Sequence, residues 1–182
     1  PSRNVVSVRC RSWVMRCVGQ NSTCSPSITS TTGDISLLGD ATNAAQQSGE
    51  AVGIVVQLDS GSNTTAQFKV STDGGAITWS GQSGHSGGDD GLALRSRAVS
   101  GGGSITIGDN NTGDITFKIG SLQTADRDAD AIAIESASNV VFEGPGSNNF
   151  STAITFSNEY DFKSSITSFR VGKLTNAQDI TI

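Results

Sequence analysis

Twelve short stretches of the chain place an apolar residue at i and i+2, and they recur in a fixed order of three kinds. The first kind is TGDISLLG (32–39), GGAITWSG (74–81), TGDITFKIG (112–120) and STAITFSN (151–158). Its isoleucines Ile35, Ile77, Ile115 and Ile154 stand 42, 38 and 39 residues apart. The second kind is GIVVQL (53–58), GLALRS (91–96), AIAIES (131–136) and SFRVGK (168–173). The third is QFKV (67–70), SITI (104–107), NVVF (139–142) and DITI (179–182). A period of two belongs to a β-strand with one buried face. The residues between the apolar pairs are mostly polar, as at Ser36, Thr78, Thr116 and Thr155.

A unit of three one-sided strands has no core of its own, but it gains one by stacking on the next unit. The expected fold is therefore all-β: a parallel β-helix (β-solenoid) of about four coils with three short strands per coil. Leu37, Trp79, Phe117 and Phe156 are expected to form one internal column, with Arg95 beside Glu135 on adjacent coils. An antiparallel β-sandwich is the alternative, since it also uses short strands, although it does not require a fixed order of three kinds. Glycine at 22, proline at 3 and only 5% aromatics favour many turns over a large mixed core. Units near 27–71, 72–110, 111–150 and 151–182 make up one repeat domain, 27–182. Residues 1–26 fit less well: Val6, Val8 and Cys10 alternate, as do Trp13, Met15 and Cys17. They form a divergent first coil, a cap or a segment foreign to the repeat.

The run GDISLLGD, SGEAVGIVVQLDSGSNTTAQFKVSTDGGAITWSGQSG and DDGLALRS resembles the degenerate repeats of filamentous-haemagglutinin-type bacterial exoproteins and adhesins. The shared pattern is G-x-I-x-(L/I)-x-G, a Gly/Asn/Asp-rich loop, then G-(I/V/L)-x-(I/V/L), and it covers about residues 27–182. The resemblance implies a right-handed β-helix, secretion, and an extracellular or cell-surface role. It concerns the shaft of such proteins and leaves function open, because fold does not fix function.

Net charge is −5, yet residues 1–24 hold Arg3, Arg9, Arg11 and Arg16 with no acid, so the remainder carries −9. An acidic body argues against a nucleic-acid partner. No run approaches the ~18–20 apolar residues of a membrane span. Cys10, Cys17 and Cys24 lie seven apart, without a C-x-x-C or a nearby histidine. They are read as small buried side chains rather than zinc ligands.

GHSGG (84–88) matches the G-x-S-x-G nucleophile elbow, but His85 is the only histidine and sits inside the motif, so no base remains for Ser86. Asn21, Asn63, Asn110 and Asn149 head N-x-S/T sequons, which a chain so rich in Ser and Thr produces by chance. No cofactor is required. Calcium is the ligand the residues suit best: Asp126, Asp128 and Asp130 take the first, third and fifth places of an EF-hand loop. Ala131 and Ala137 then replace its glycine and glutamate, which excludes a true EF-hand. What is left is a looser site that borrows Asp90, since Asp130 precedes AIAI as Asp90 precedes GLAL.

These readings point to a non-enzymatic extracellular scaffold: an adhesin shaft segment or a subunit that stacks end to end into a filament. Its expected partners are further coils of its own kind and a host or cell-surface glycan or protein. The alternative is a carbohydrate-active β-helix enzyme, a glycoside hydrolase or lyase using Asp89 and Asp90.

Overall fold

The structure, a computed structural model, describes residues 5–10, 13–19, 25–41, 53–60, 66–83, 91–96, 103–124, 131–145, 150, 153–173 and 180–181. Among these the chain is all-β and runs in circuits. The first circuit is β1 (Val5–Cys10), β2 (Trp13–Gly19) and β3 (Ser27–Ser30); the second is β4 (Asp34–Ala41), β5 (Ile54–Ser60) and β6 (Gln67–Thr72). The third is β7 (Ile77–Ser83), β8 (Leu92–Ser96) and β9 (Ser104–Gly108); the fourth is β10 (Ile115–Ile119), β11 (Leu122–Thr124) and β12 (Ile132–Glu135). The fifth is β13 (Asn139–Glu143), β14 (Ile154–Thr155) and β15 (Tyr160–Phe162), and the sixth holds β16 (Ser168–Val171) and β17 (Ile180–Thr181).

The first four circuits visit the same three walls in turn. Sheet A is β1-β4-β7-β10-β13-β16, sheet B is β2-β5-β8-β11, and sheet C is β3-β6-β9-β12-β15. A separate ladder joins β14 to β17. Every pairing among the described residues is parallel, from β1 on β4 to β13 on β16, so the antiparallel sandwich is overturned. β1 and β2 pair with β4 and β5 along their full lengths, so residues before 27 contribute strands to the same walls.

The 40-residue period does not survive as the length of a circuit. Val6, Ile35, Ile77, Ile115, Val140 and Phe169 share one register in sheet A, so successive circuits take 29, 42, 38, 25 and 29 residues. The expected assignments fail after β10 for this reason. AIAI lies in sheet C beside SITI, NVVF and SFRV lie in sheet A, and Ile154 pairs with Ile180. The sheet B strand of the fourth circuit is LQT, which follows Ile119 after a two-residue corner and has too few apolar residues to announce itself. Sheet A thus counts six strands against the four coils expected.

The inner columns are nonetheless made of like residues. Ile35, Ile77, Ile115 and Val140 form one column, and Leu37, Trp79, Phe117 and Phe142 form the next. Phe142 takes the place expected of Phe156. Its ring stacks on Phe117 at 4.2 Å, while Phe156 meets it edge-on from within the core at 4.8 Å. Both are favourable arrangements of ring quadrupoles. Glu135 pairs with Gly108 and Arg95 with Gln57, so the expected Arg95–Glu135 neighbours are in different sheets. On the outer face of sheet B, Val55 of β5 and Ala93 of β8 form a small buried cluster apart from the main core.

Candidate functional site

The best-defined polar cluster lies where sheet C hands the chain to sheet A. The corners there are short, and at four successive boundaries one hydroxyl reaches a carbonyl of the preceding circuit. Thr72 Oγ1 donates to the Gly33 carbonyl at 2.6 Å, and Ser136 Oγ to the Gly113 carbonyl at 2.6 Å. Thr167 Oγ1 donates to the Ser138 carbonyl at 2.9 Å. Thr112 Oγ1 lies 3.0 Å from the Thr72 carbonyl and 3.1 Å from Asp109 Oδ1, sharing its one proton between two acceptors. It also accepts from the Asp109 amide at 3.1 Å. Thr72, Thr112 and Ser136 are essentially without solvent exposure, so each hydroxyl needs these partners.

Carboxylates complete the brace. Asp34 Oδ1 accepts from the Ala76 amide at 2.9 Å, one circuit on. Asp114 Oδ1 accepts from the Ser138 hydroxyl at 2.6 Å, the Asn139 amide at 3.2 Å and the Asn139 side-chain nitrogen at 2.9 Å. These bonds, the Ser138 hydroxyl first, hold the Asp114 carboxyl below the usual range against a smaller burial effect. At Asp109 burial acts upward as the largest single influence. Hydrogen bonds from Asn111 and Thr112, the Lys69 charge 3.7 Å away and Ser71 together outweigh it and leave the carboxyl lowered. The sequence signal for this brace is the repeated T-G-D at 32–34 and 112–114, which stands just before Ile35 and Ile115.

A second construction stands where sheet A passes to sheet B. Gly39, Gly81 and Ile119 share a register, as do Leu92 and Leu122 just beyond the corner. The fourth circuit crosses with Gly120 and Ser121, whereas the second and third leave at Gly39 and Gly81 and return at Gly53 and Gly91. The two necks are shut: a Cβ on Gly39 would lie 1.8 Å from the Gly53 carbonyl oxygen, and one on Gly81 would lie 1.8 Å from that of Gly91. Only glycine permits that approach. Beyond the necks the strands stay paired, Asp40 with Gln82 and Ala41 with Ser83, so the two segments depart together.

The brace is structural chemistry. Its hydroxyl protons are committed to carbonyls or carboxylates, and its carboxylates to amides and hydroxyls. Asp126, Asp128, Asp130 and Asp90, expected to hold calcium, lie outside the described residues, as do Asp89, His85, Ser86 and Cys24. The strands after Asp90 and Asp130 are β8 and β12, which belong to different sheets, so the equivalence behind that pairing of aspartates fails. Among the described residues no group of three or more His, Cys, Asp or Glu is arranged to hold a metal, and no helix is long and apolar enough to cross a membrane. The sequon asparagine Asn110 is exposed at its turn, while the hydroxyl of its threonine, Thr112, is buried in the brace. No protein-family model matches the chain, and no curated protein or solved structure matches it either.

Proposed function

We propose that the chain is a right-handed parallel β-helix serving as a non-enzymatic extracellular scaffold: a shaft segment or stacking subunit of a repetitive bacterial surface protein of filamentous-haemagglutinin type. The observation that supports this reading is where the core is exposed. Among the described residues, the partly buried hydrophobics against the core are Ile28, Leu122, Phe162, Ile166, Phe169 and Val171. All lie on β3, β11, β15 and β16, which are the free edges of their sheets, or in the turn between β15 and β16. Core residues left partly open at strand edges and in the adjoining turn invite further circuits. The buried hydroxyls of Thr72, Thr112 and Ser136, meanwhile, are spent on bracing one circuit to the next.

The test is enzymatic. The purified chain, incubated with a panel of acidic and neutral polysaccharides, is expected to release no reducing ends or unsaturated products. Turnover that disappears in Asp90→Asn would overturn the scaffold reading in favour of a carbohydrate-active enzyme.

A further inference from the structure

We propose that Glu159 completes a calcium site with Asp126, Asp128 and Asp130, across the corner where the fourth and fifth circuits enter sheet C. The site does not rest on the scaffold reading, since an enzyme on the same fold would carry it equally.

Asp126, Asp128 and Asp130 supply oxygens at alternate positions, as a calcium loop begins, but Ala137 stands where the loop would close with a bidentate glutamate. The fold offers a glutamate from the next circuit. Thr124 ends β11 and Ile132 opens β12, so residues 125–131 connect the fourth circuit to sheet C. The fifth circuit enters the same sheet through a turn closed by the Tyr160 amide on the Ser157 carbonyl at 3.2 Å. Ile132 pairs with Tyr160, and its amide donates to the Glu159 carbonyl at 2.8 Å. One residue back in that register Glu159 stands beside Ala131, about 4.8 Å away across the ladder. Asp130 precedes Ala131, so its Cα is a further ~3.8 Å along the chain. That separation suits two carboxylates sharing one ion, with oxygens about 2.3–2.6 Å from it.

The independent sign is Glu159 itself. The residue is half-buried, and its Oε2 is shut from solvent yet accepts no hydrogen bond. A carboxylate oxygen withdrawn from water without a partner is costly. Asp109 and Asp114 show the contrast, each held by amide and hydroxyl donors. A cation would supply what no donor among the described residues does. Three aspartates close in sequence repel one another, and a divalent ion relieves that as well. The donors are all hard oxygens drawn from two circuits. This favours calcium over magnesium, whose octahedral shell is smaller and stiffer.

The test is calorimetric titration of the chelator-treated chain with calcium chloride, together with thermal melts. The wild-type chain should bind one calcium ion with a Kd on the order of 10⁻⁴ M. Glu159→Gln and Asp128→Asn should each weaken binding by about tenfold or more, because each removes a charged ligand. Asp161→Asn is the control: its carboxylate lies two residues on in the same sheet and pairs with Lys163, so this variant should bind as the wild type does. Calcium should raise the Tm of the wild type and leave that of Glu159→Gln unmoved. In chelator, Glu159→Gln should melt at or above the wild type, since it removes a charge with a buried, unpartnered oxygen. No binding up to about 10 mM calcium overturns the proposal. So does full affinity in Glu159→Gln, which would leave the aspartates to bind without it, and so does an equal loss in Asp161→Asn, which would signal diffuse surface charge. A Glu159→Gln variant that melts below the wild type in chelator also overturns it, because the carboxylate would then have a partner, such as Arg127, without calcium. If circular dichroism shows that Glu159→Gln does not fold, Glu159→Asp, which keeps the charge and shortens its reach, takes its place with the same expected loss of affinity.

Discussion

Thr112 shows how a single residue joins three circuits. Its hydroxyl serves Thr72 in the second and Asp109 in the third, while its carbonyl accepts from Ala137 at 2.8 Å. Thr112→Val keeps the shape and deletes the hydroxyl, leaving buried partners unmet, at an expected cost of about 1–3 kcal/mol in urea unfolding. Ser36→Ala, on the half-buried outer face of sheet A, should stay within about 0.5 kcal/mol. Asp114 adds a pH dependence. Its carboxyl is lowered in the folded state, so it binds its proton more weakly there than in the unfolded chain. The stability it lends is therefore complete above the unfolded value and fades as pH falls through the lowered folded one. Denaturant midpoints followed downward from about pH 5 should fall more steeply for the wild type than for Asp114→Asn. Equal slopes would remove Asp114 from the acid response.

At the scale of elements, the necks make the sharpest forecast. Gly81→Ala forces a methyl against the Gly91 carbonyl, where both contacting groups are backbone. It should cost about 3 kcal/mol, read as a lowered urea midpoint, whereas Gly74→Ala would meet no neighbouring atom and strain only its own positive φ of 73°. Replacing residues 82–90 by one glycine, as Gly120 stands in the fourth circuit, should leave the circular dichroism spectrum of the body unchanged, since loop length alone costs little. These necks also explain what the sequence let one read. The alternation Ile-x-Trp, Ile-x-Phe and Val-x-Phe announced which side chains point inward at β7, β10 and β13. It did not announce which wall each strand joins, because a strand's period is the same in all three. With 13 residues between Gly39 and Gly53 and a two-residue corner after Ile119, sequence spacing slips against circuit number, so AIAI falls at the spacing of GLAL yet pairs with SITI. The brace was legible only as T-G-D. Thr72 and Ser136, which have no such motif, gain their meaning from carbonyls 39 and 23 residues away.

For the whole molecule, the ladder order matters more than any single contact. Each circuit rests on its predecessor through parallel strands in sheet A, four successive corners add a hydroxyl bond, and among the described residues sheet B ends at β11 while sheets A and C run on. The fifth and sixth circuits are held instead by a dense aromatic mesh of Phe142, Phe156, Phe162 and Phe169. Amide exchange should therefore be faster at β14 and β17, which share a ladder of two residue pairs, than at β7 and β10 in the middle of sheet A; uniform protection would contradict this. The unequal circuits bear on mechanics as well. Because neighbouring strands are joined side by side, tension applied between the first and last circuits strips the ladders in sequence rather than shearing them together. Circuits of 25 to 42 residues would then surrender about 90 to 150 Å of slack apiece, at ~3.6 Å per residue. A tether built this way lengthens in several uneven steps, and each step dissipates a pull before the next circuit feels it.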